Sequence, residues 1–381
     1  SSLALPALHA QIADDTTVEW CMVSATINEN TGNIVKQIYQ HQPDIIAATN
    51  WLFNHEQLLH IVSRAKALLP QCCIILGGPE FLGDNKDFLF KNKFVNGVFR
   101  GEGEEVFPLW LKVWNRPRKE WKSITGLCYL DESEEYQDNG IARVMNFSAL
   151  VSPERSRFFN WSKPFVQLET TRGCFNTCAF CVSGGEKPVR TIPLEAIRER
   201  LDNIHQHGIK NVRVLDRTFN YNNKRAKDLL NLFREYPDIR FHLEIHPALL
   251  SEELKNELAA LPNGLLHLEA GIQSLREPVL EQSRRIGKLS DALEGLKYLC
   301  SLKNMETHAD LIAGLPLYHL TEIFEDVRTL AEYGAGEIQL ESLKLLPGTE
   351  MRRRAEELGI QYSPLPPYEV LQTREISVEE L

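Results

Sequence analysis

Thr171-Arg172-Gly173-Cys174-Phe175-Asn176-Thr177-Cys178-Ala179-Phe180-Cys181 places three of the chain's eight cysteines within eight consecutive positions. The spacing is C-x-x-x-C-x-x-C, so three thiolates on one loop can converge on a single inorganic centre, with Gly173 free to turn the backbone. Three sulfur ligands are one short of a closed site. A zinc ion would want a fourth cysteine or histidine at matching spacing, but the next histidines, His205 and His207, lie well downstream in a helical pattern. A disulfide plus a spare thiol finds no secretory context. A four-iron cluster held by three thiolates leaves one iron open to a small bidentate molecule.

Outward from this loop the pattern is strand, helix, strand. Candidate strands are 165–169, 211–215, 240–245, 265–270, 307–312 and 337–343. Helical patterns fall near 194–207, 224–235, 251–261, 277–282, 289–302 and 321–333. Six such units predict an open, partial (β/α)6 barrel of TIM type over 163–350, with chemistry at the carboxyl ends of its strands. The cysteine loop follows the first strand directly, at that end.

Ahead of it, apolar runs at 18–23, 44–49, 73–79 and 96–104 alternate with helical patterns at 31–41, 56–69 and 105–114. This predicts a Rossmann-like, doubly wound parallel sheet over 1–115, with ligands beyond the strand ends, at Thr49-Asn50-Trp51, Gly77-Gly78-Pro79-Glu80 and Gly101-Glu102-Gly103-Glu104. The sequence opens in a helical pattern, 2–13, with no strand before it, so the start reads as trimmed. A linker over 116–162 is expected to pair 124–130 with 142–147 as a hairpin and to pack on both domains. A tail over 351–381 begins as a short helix and becomes extended at Tyr362-Ser363-Pro364-Leu365-Pro366-Pro367-Tyr368, either crossing the barrel mouth or leaving the domain; it reads as truncated.

A chain of 381 residues with 43% apolar residues has enough for real cores and is expected to hold two or three domains. No apolar run reaches membrane-spanning length and no signal peptide is visible, so the expected location is the cytoplasm. With 42 basic against 52 acidic residues, net −10, binding of nucleic acid through bulk charge is disfavoured. Cys21, Cys72, Cys73, Cys128 and Cys300 read as packing residues.

The cysteine stretch closely resembles the signature of the radical S-adenosylmethionine (SAM) enzymes, and the front domain resembles the cobalamin-binding domain found ahead of many of them. The resemblance implies a 4Fe-4S cluster on Cys174, Cys178 and Cys181, whose open iron takes the amino and carboxylate groups of SAM. Reductive cleavage then gives a 5′-deoxyadenosyl radical that abstracts hydrogen from an unactivated carbon, with methylation the leading outcome if cobalamin is bound. It also implies SAM contacts at Phe180, Asp216, Arg217, Glu244, Glu269, Gln273 of the G-x-Q-S turn, Ile312 and Gly314. Cobalamin contacts are implied at Thr49, Gly77, Gly78, Glu80, Gly101, Glu102 and Gly103. No D-x-H-x-x-G segment is present to ligate cobalt from below. An electron donor such as flavodoxin or ferredoxin is implied as partner, and the substrate, a small molecule or peptide, is not legible. A radical SAM cyclase or rearrangement enzyme, including one closing a tetrapyrrole ring anaerobically, stays open, as does a non-catalytic cobalamin or redox sensor. Residue by residue, the polar barrel positions are also compatible with paired structural charges, and His242 and His246 with satisfied core histidines.

Overall fold

The computed structural model describes residues 3–381. The chain divides into two compact units, Ser1–Phe159 and Asn160–Leu381, the first of which takes in residues 116–159.

In the first unit five strands lie in the order β1 (Ile45–Thr49), β2 (Cys73–Gly77), β3 (Gly97–Phe99), β4 (Leu127–Leu130) and β5 (Tyr136–Asp138). The first three are parallel and the last two antiparallel. Successive residues of β2 serve opposite faces: Ile74 and Leu76 pack with Val62, Ala65 and Leu89, whereas Cys73 and Ile75 pack with Phe107, Trp110 and Trp121. A strand buried on both faces is what a doubly wound sheet requires.

Residues 18–23 form no strand; the sheet ends at β1, and Trp20 instead packs against His9 and Phe107. The hairpin partner of β4 is β5, not 142–147, because Asp131 Oδ1 accepts from the backbone of Ser133 and Glu135 and closes a tight turn. Ala142 instead bridges to Gly101. The opening helix runs Ala4–Ala10; Ser2, its expected start, lies outside the described residues.

The second unit holds a six-stranded, wholly parallel open sheet. Its strands are β6 (Val166–Leu168), β9 (Asn211–Val214), β10 (Arg240–Ile245), β11 (Leu266–Gln273), β12 (Glu306–Ala313) and β13 (Glu337–Ser342). The short strands β7 (Thr171–Arg172) and β8 (Arg190–Thr191) pair antiparallel between β6 and β9. Along β10 and β11 burial alternates strictly. The buried set, Phe241, Leu243, Ile245, Leu266, Leu268 and Ala270, lies under helices whose own apolar stripes include Leu201, Leu229 and Phe233. Phe233 stacks on Phe241 at 4.1 Å, and each such fully buried side chain is worth about 1.5–3 kcal/mol. The alternate set, His242, Glu244, His267 and Glu269, forms the polar inner face.

Beyond β13 the chain turns back instead of leaving. Strands β14 (Gln361–Tyr362) and β15 (Val370–Gln372) pair, and Met351, Leu358, Val370 and Ile376 close over Leu315, Leu343 and Ala179. Among the described residues no helix is long and apolar enough to cross a membrane.

Candidate functional site

The cysteine loop is pinned at both ends and along its length. The β7/β8 pair clamps its base, and Cys174 N donates to Glu186 O at 3.0 Å. Its outer side docks on the turn 283–286: Ala179 N donates to Ser283 O, Thr177 Oγ1 to Arg284 O, and Ile286 N to Asn176 Oδ1. Gly173 takes φ +91°, and a Cβ there would stand 2.6 Å from Glu186 O; a Cβ on Gly184 would stand 2.3 Å from Cys178 O. Both glycines are demanded by backbone packed on backbone.

Cys174 and Cys178 are buried and Cys181 partly so; none is in a disulfide. Burial pushes the Cys178 and Cys181 thiols up, and each senses its neighbouring cysteines. Thiols so placed become thiolates only against strong positive charge, which a metal centre supplies. Among the described residues the only group of three or more His, Cys, Asp or Glu side chains with ligand atoms within 4.8 Å of one another is His267, His308 and Glu337. Three such thiols on one loop, none tied up in a disulfide, make a sulfur donor set suited to a metal centre.

Arg285 stands over this trio. Its Nη1 lies 3.9 Å from Cys178 Sγ and its Nη2 donates to Gly271 O. Nothing in the local sequence singles it out, because the partners are more than a dozen and a hundred residues away.

Asp216, expected at the SAM amino group, is buried and accepts from Thr170 N at 2.8 Å, from Thr171 N at 2.9 Å and from Thr170 Oγ1. Burial pushes its carboxyl up while these bonds pull it down. It holds the strand-to-loop junction just before the cysteines. Arg217 is exposed, and its charge acts on Glu244 and Cys181. Glu244 is pushed up by burial and by Glu269, against the pull of Arg217. Glu269 accepts from His242 Nε2 at 2.8 Å and is held down by it, whereas Asp310 is pushed up by burial and then by Glu269. This inner face thus gathers three carboxyl groups, offset by Arg217, His242 and Arg285.

Gln273 ends β11 at φ +73°, where the pairing with β12 slips. The adjoining Ser274 and Leu275 are tied to Asp326, whose oxygens also accept from Arg276 Nη2 at 2.7 Å and Tyr318 Oη at 2.5 Å. Phe180 and Ile312 meet in one apolar cluster, and the turn at Gly314, φ +85°, faces Leu381. His246, at the end of β10, is buried; its Nε2 lies 3.0 Å from Ile286 O and its Nδ1 has no hydrogen-bond partner. Burial, then Arg285, hold it down to about 3, so the imidazole is neutral.

In the first unit the expected strand-end residues are present, but several are engaged within the chain. A Cβ on Gly78 would meet Asn50 O at 2.4 Å and one on Gly101 would meet Ala142 O at 2.2 Å, so these glycines admit backbone rather than leave space. Glu102 accepts from Val144 N at 2.7 Å, and Glu80 is buried with His55 at 3.9 Å. Thr49 O accepts from Asn54 Nδ2. Gly77 keeps ordinary room, its nearest neighbour 3.9 Å away. Beside it Trp51 and Phe53 stack at 6.0 Å with Phe53 60% exposed, and buried Asn50 Oδ1 has no hydrogen-bond partner.

Comparison with known proteins fits this geometry. Residues 168–333 match the radical SAM superfamily and residues 3–110 the B12 binding domain. The chain is 25% identical over 331 residues to an uncharacterized methyltransferase of Pyrococcus horikoshii, covering 84% of this chain and 71% of that protein. It is 20% identical to the cobalamin-dependent radical SAM methyltransferase TokK of Streptomyces tokunonensis, covering 85% of this chain but only 50% of that one. Among solved structures, the radical SAM methyltransferase TsrM of Kitasatospora setae, with cobalamin and a [4Fe-4S] cluster bound, shares the fold at a TM-score of 0.75 and 17% identity, over 99% of this chain and 77% of that one.

Proposed function

We propose, from the premise that the chain belongs to the radical SAM superfamily and carries a B12 binding domain ahead of its barrel, that it is a cobalamin-dependent radical SAM methyltransferase acting on an unactivated carbon. The observation that carries this reading is the three-cysteine loop, set after the first strand at the carboxyl end of a parallel open barrel.

Cys174, Cys178 and Cys181 hold the cluster. When bound, the cluster, SAM and cobalamin together supply reductive cleavage of SAM to a carbon radical and a methyl group for transfer. The chain's own residues bind and orient. Arg285 balances the charge on the sulfurs. Glu244 and Glu269 would accept from the methionyl ammonium or the ribose hydroxyls of SAM, which would compensate their buried charge. Arg217, whose charge acts on Glu244 and Cys181, would help to hold SAM. Gln273 at the end of β11, with Phe180, Ile312 and Gly314, would help to hold SAM, the last three on its adenine side. Asp216 acts through the loop it positions. In the first unit Thr49, Gly77, Gly78, Glu80, Gly101, Glu102 and Gly103 build the strand-end platform for cobalamin, on which Trp51 and Phe53 supply apolar contact. A one-electron donor of flavodoxin or ferredoxin type serves the cluster.

The test is anaerobic reconstitution with iron, sulfide and cobalamin, followed by assay of 5′-deoxyadenosine and of the corrin absorption spectrum. The reading requires both SAM cleavage and retained corrin. Cleavage by a corrin-free protein removes methylation from it, and no cleavage by the loaded protein removes the enzyme.

A further inference from the structure

We propose that His267, His308 and Glu337 form a second metal site, for one divalent first-row transition ion of zinc type, at the amino-terminal end of the barrel strands. The three come from adjacent strands, β11, β12 and β13, where His308 pairs in register with Glu337 and with Glu269 of the neighbouring strand. Their ligand atoms lie within 4.8 Å of one another. A shared ion with bonds of about 2.1 Å wants donors about 3.4 Å apart, and exposed Glu337, on the edge strand, has the freedom to close that gap.

An independent observation points to a ligand. The His308 side chain is only 7% exposed, yet it makes no aligned hydrogen bond among the described residues. Its Nε2 lies 2.8 Å from Asp310 Oδ1, an ion-pair contact that orients the ring although neither atom makes an aligned hydrogen bond. Behind them stands the outer row that imidazole ligands characteristically have: His267 Nδ1 faces His242 Nδ1 at 3.3 Å, and His242 Nε2 meets Glu269 at 2.8 Å. Two imidazoles and one carboxylate form a donor set for zinc, cobalt or ferrous ion rather than for calcium or magnesium. The ion would tie the open edge strand β13 to β12 and β11, at the end of the sheet opposite the cysteine loop. Its function is structural, and it does not depend on the methyltransferase reading.

The test uses the full chain with its iron-sulfur cluster reconstituted anaerobically and loose metal removed. Zinc is titrated in by calorimetry and counted by elemental analysis. The expected result is one zinc per chain beyond the cluster iron, retained when Cys174, Cys178 and Cys181 are all changed to Ala, absent in His308→Ala, and bound at least tenfold more weakly by Glu337→Gln. Glu337 is exposed, so its substitution leaves the fold intact and decides the matter should His308→Ala fail to fold. Zinc uptake unchanged in Glu337→Gln, or no uptake above the buffer blank by the parent chain, overturns the proposal.

Discussion

Arg285 brings its guanidinium to 3.9 Å from the sulfur of Cys178, 107 positions earlier in the chain. A cation beside a cluster thiolate lowers the cost of adding an electron and raises the reduction potential. Arg285→Met is expected to keep the iron but make the cluster harder to reduce, with 5′-deoxyadenosine formation falling about 10–100-fold. A redox titration followed by electron paramagnetic resonance checks this; an unchanged midpoint would show that the contact is only packing.

Asp216 is a positioning residue. Its removal in Asp216→Ala strands the Thr170 and Thr171 amides, and at about 1–3 kcal/mol per buried unsatisfied donor the unfolding free energy should drop by about 3 kcal/mol. Iron content after reconstitution should fall in parallel. Normal denaturant unfolding with normal iron would refute the role.

Gly184→Ala aims a methyl group at the carbonyls of Cys178 and Cys181, 2.3 and 3.0 Å from the Cβ. Because the strain is confined to a surface loop, the expected outcome is loss of cluster binding with little change in the thermal midpoint. Full cluster occupancy, read from the visible absorption and the iron count, would contradict it.

His246 gives a pH dependence. It is neutral in the fold, held down to about 3 by burial and then by Arg285, whereas in the unfolded chain it titrates near 6.5. Its folded value is depressed, so the unfolded state binds the extra proton and stability is lost as pH falls below about 6.5. At pH 5 the loss is about 2 kcal/mol. His246→Gln, which retains a donor for Ile286 O, should unfold with a correspondingly flatter profile between pH 7 and 5. Identical profiles would show that another group governs acid sensitivity.

The two architectures and the cluster loop were legible because their signals are local: alternating or continuous apolar runs, helical periodicity, and three sulfurs at fixed spacing. All six barrel strands are found within a few residues of their expected bounds. The run 18–23 misleads because alternation marks a strand only where a neighbour exists to pair with, and β1 is already the edge of its sheet. Long-range partners were hidden. Gly101 needs no side chain because Ala142 passes 2.2 Å from where a Cβ would sit, and Glu102 is consumed by Val144. Asp216 likewise finds its donors 46 and 45 residues upstream. Arg285 lies in a turn whose composition is ordinary, and only the docking of that turn on the cysteine loop gives it chemistry.

The central claim is that the three-cysteine centre keeps one vertex for SAM. Electron paramagnetic resonance of the reduced, reconstituted protein with and without SAM tests it most directly. The account predicts a four-iron signal whose g values shift when SAM is added, and no cluster signal once any one of Cys174, Cys178 and Cys181 is changed to Ala. A spectrum indifferent to SAM, or a centre that survives loss of one of these cysteines, would contradict it.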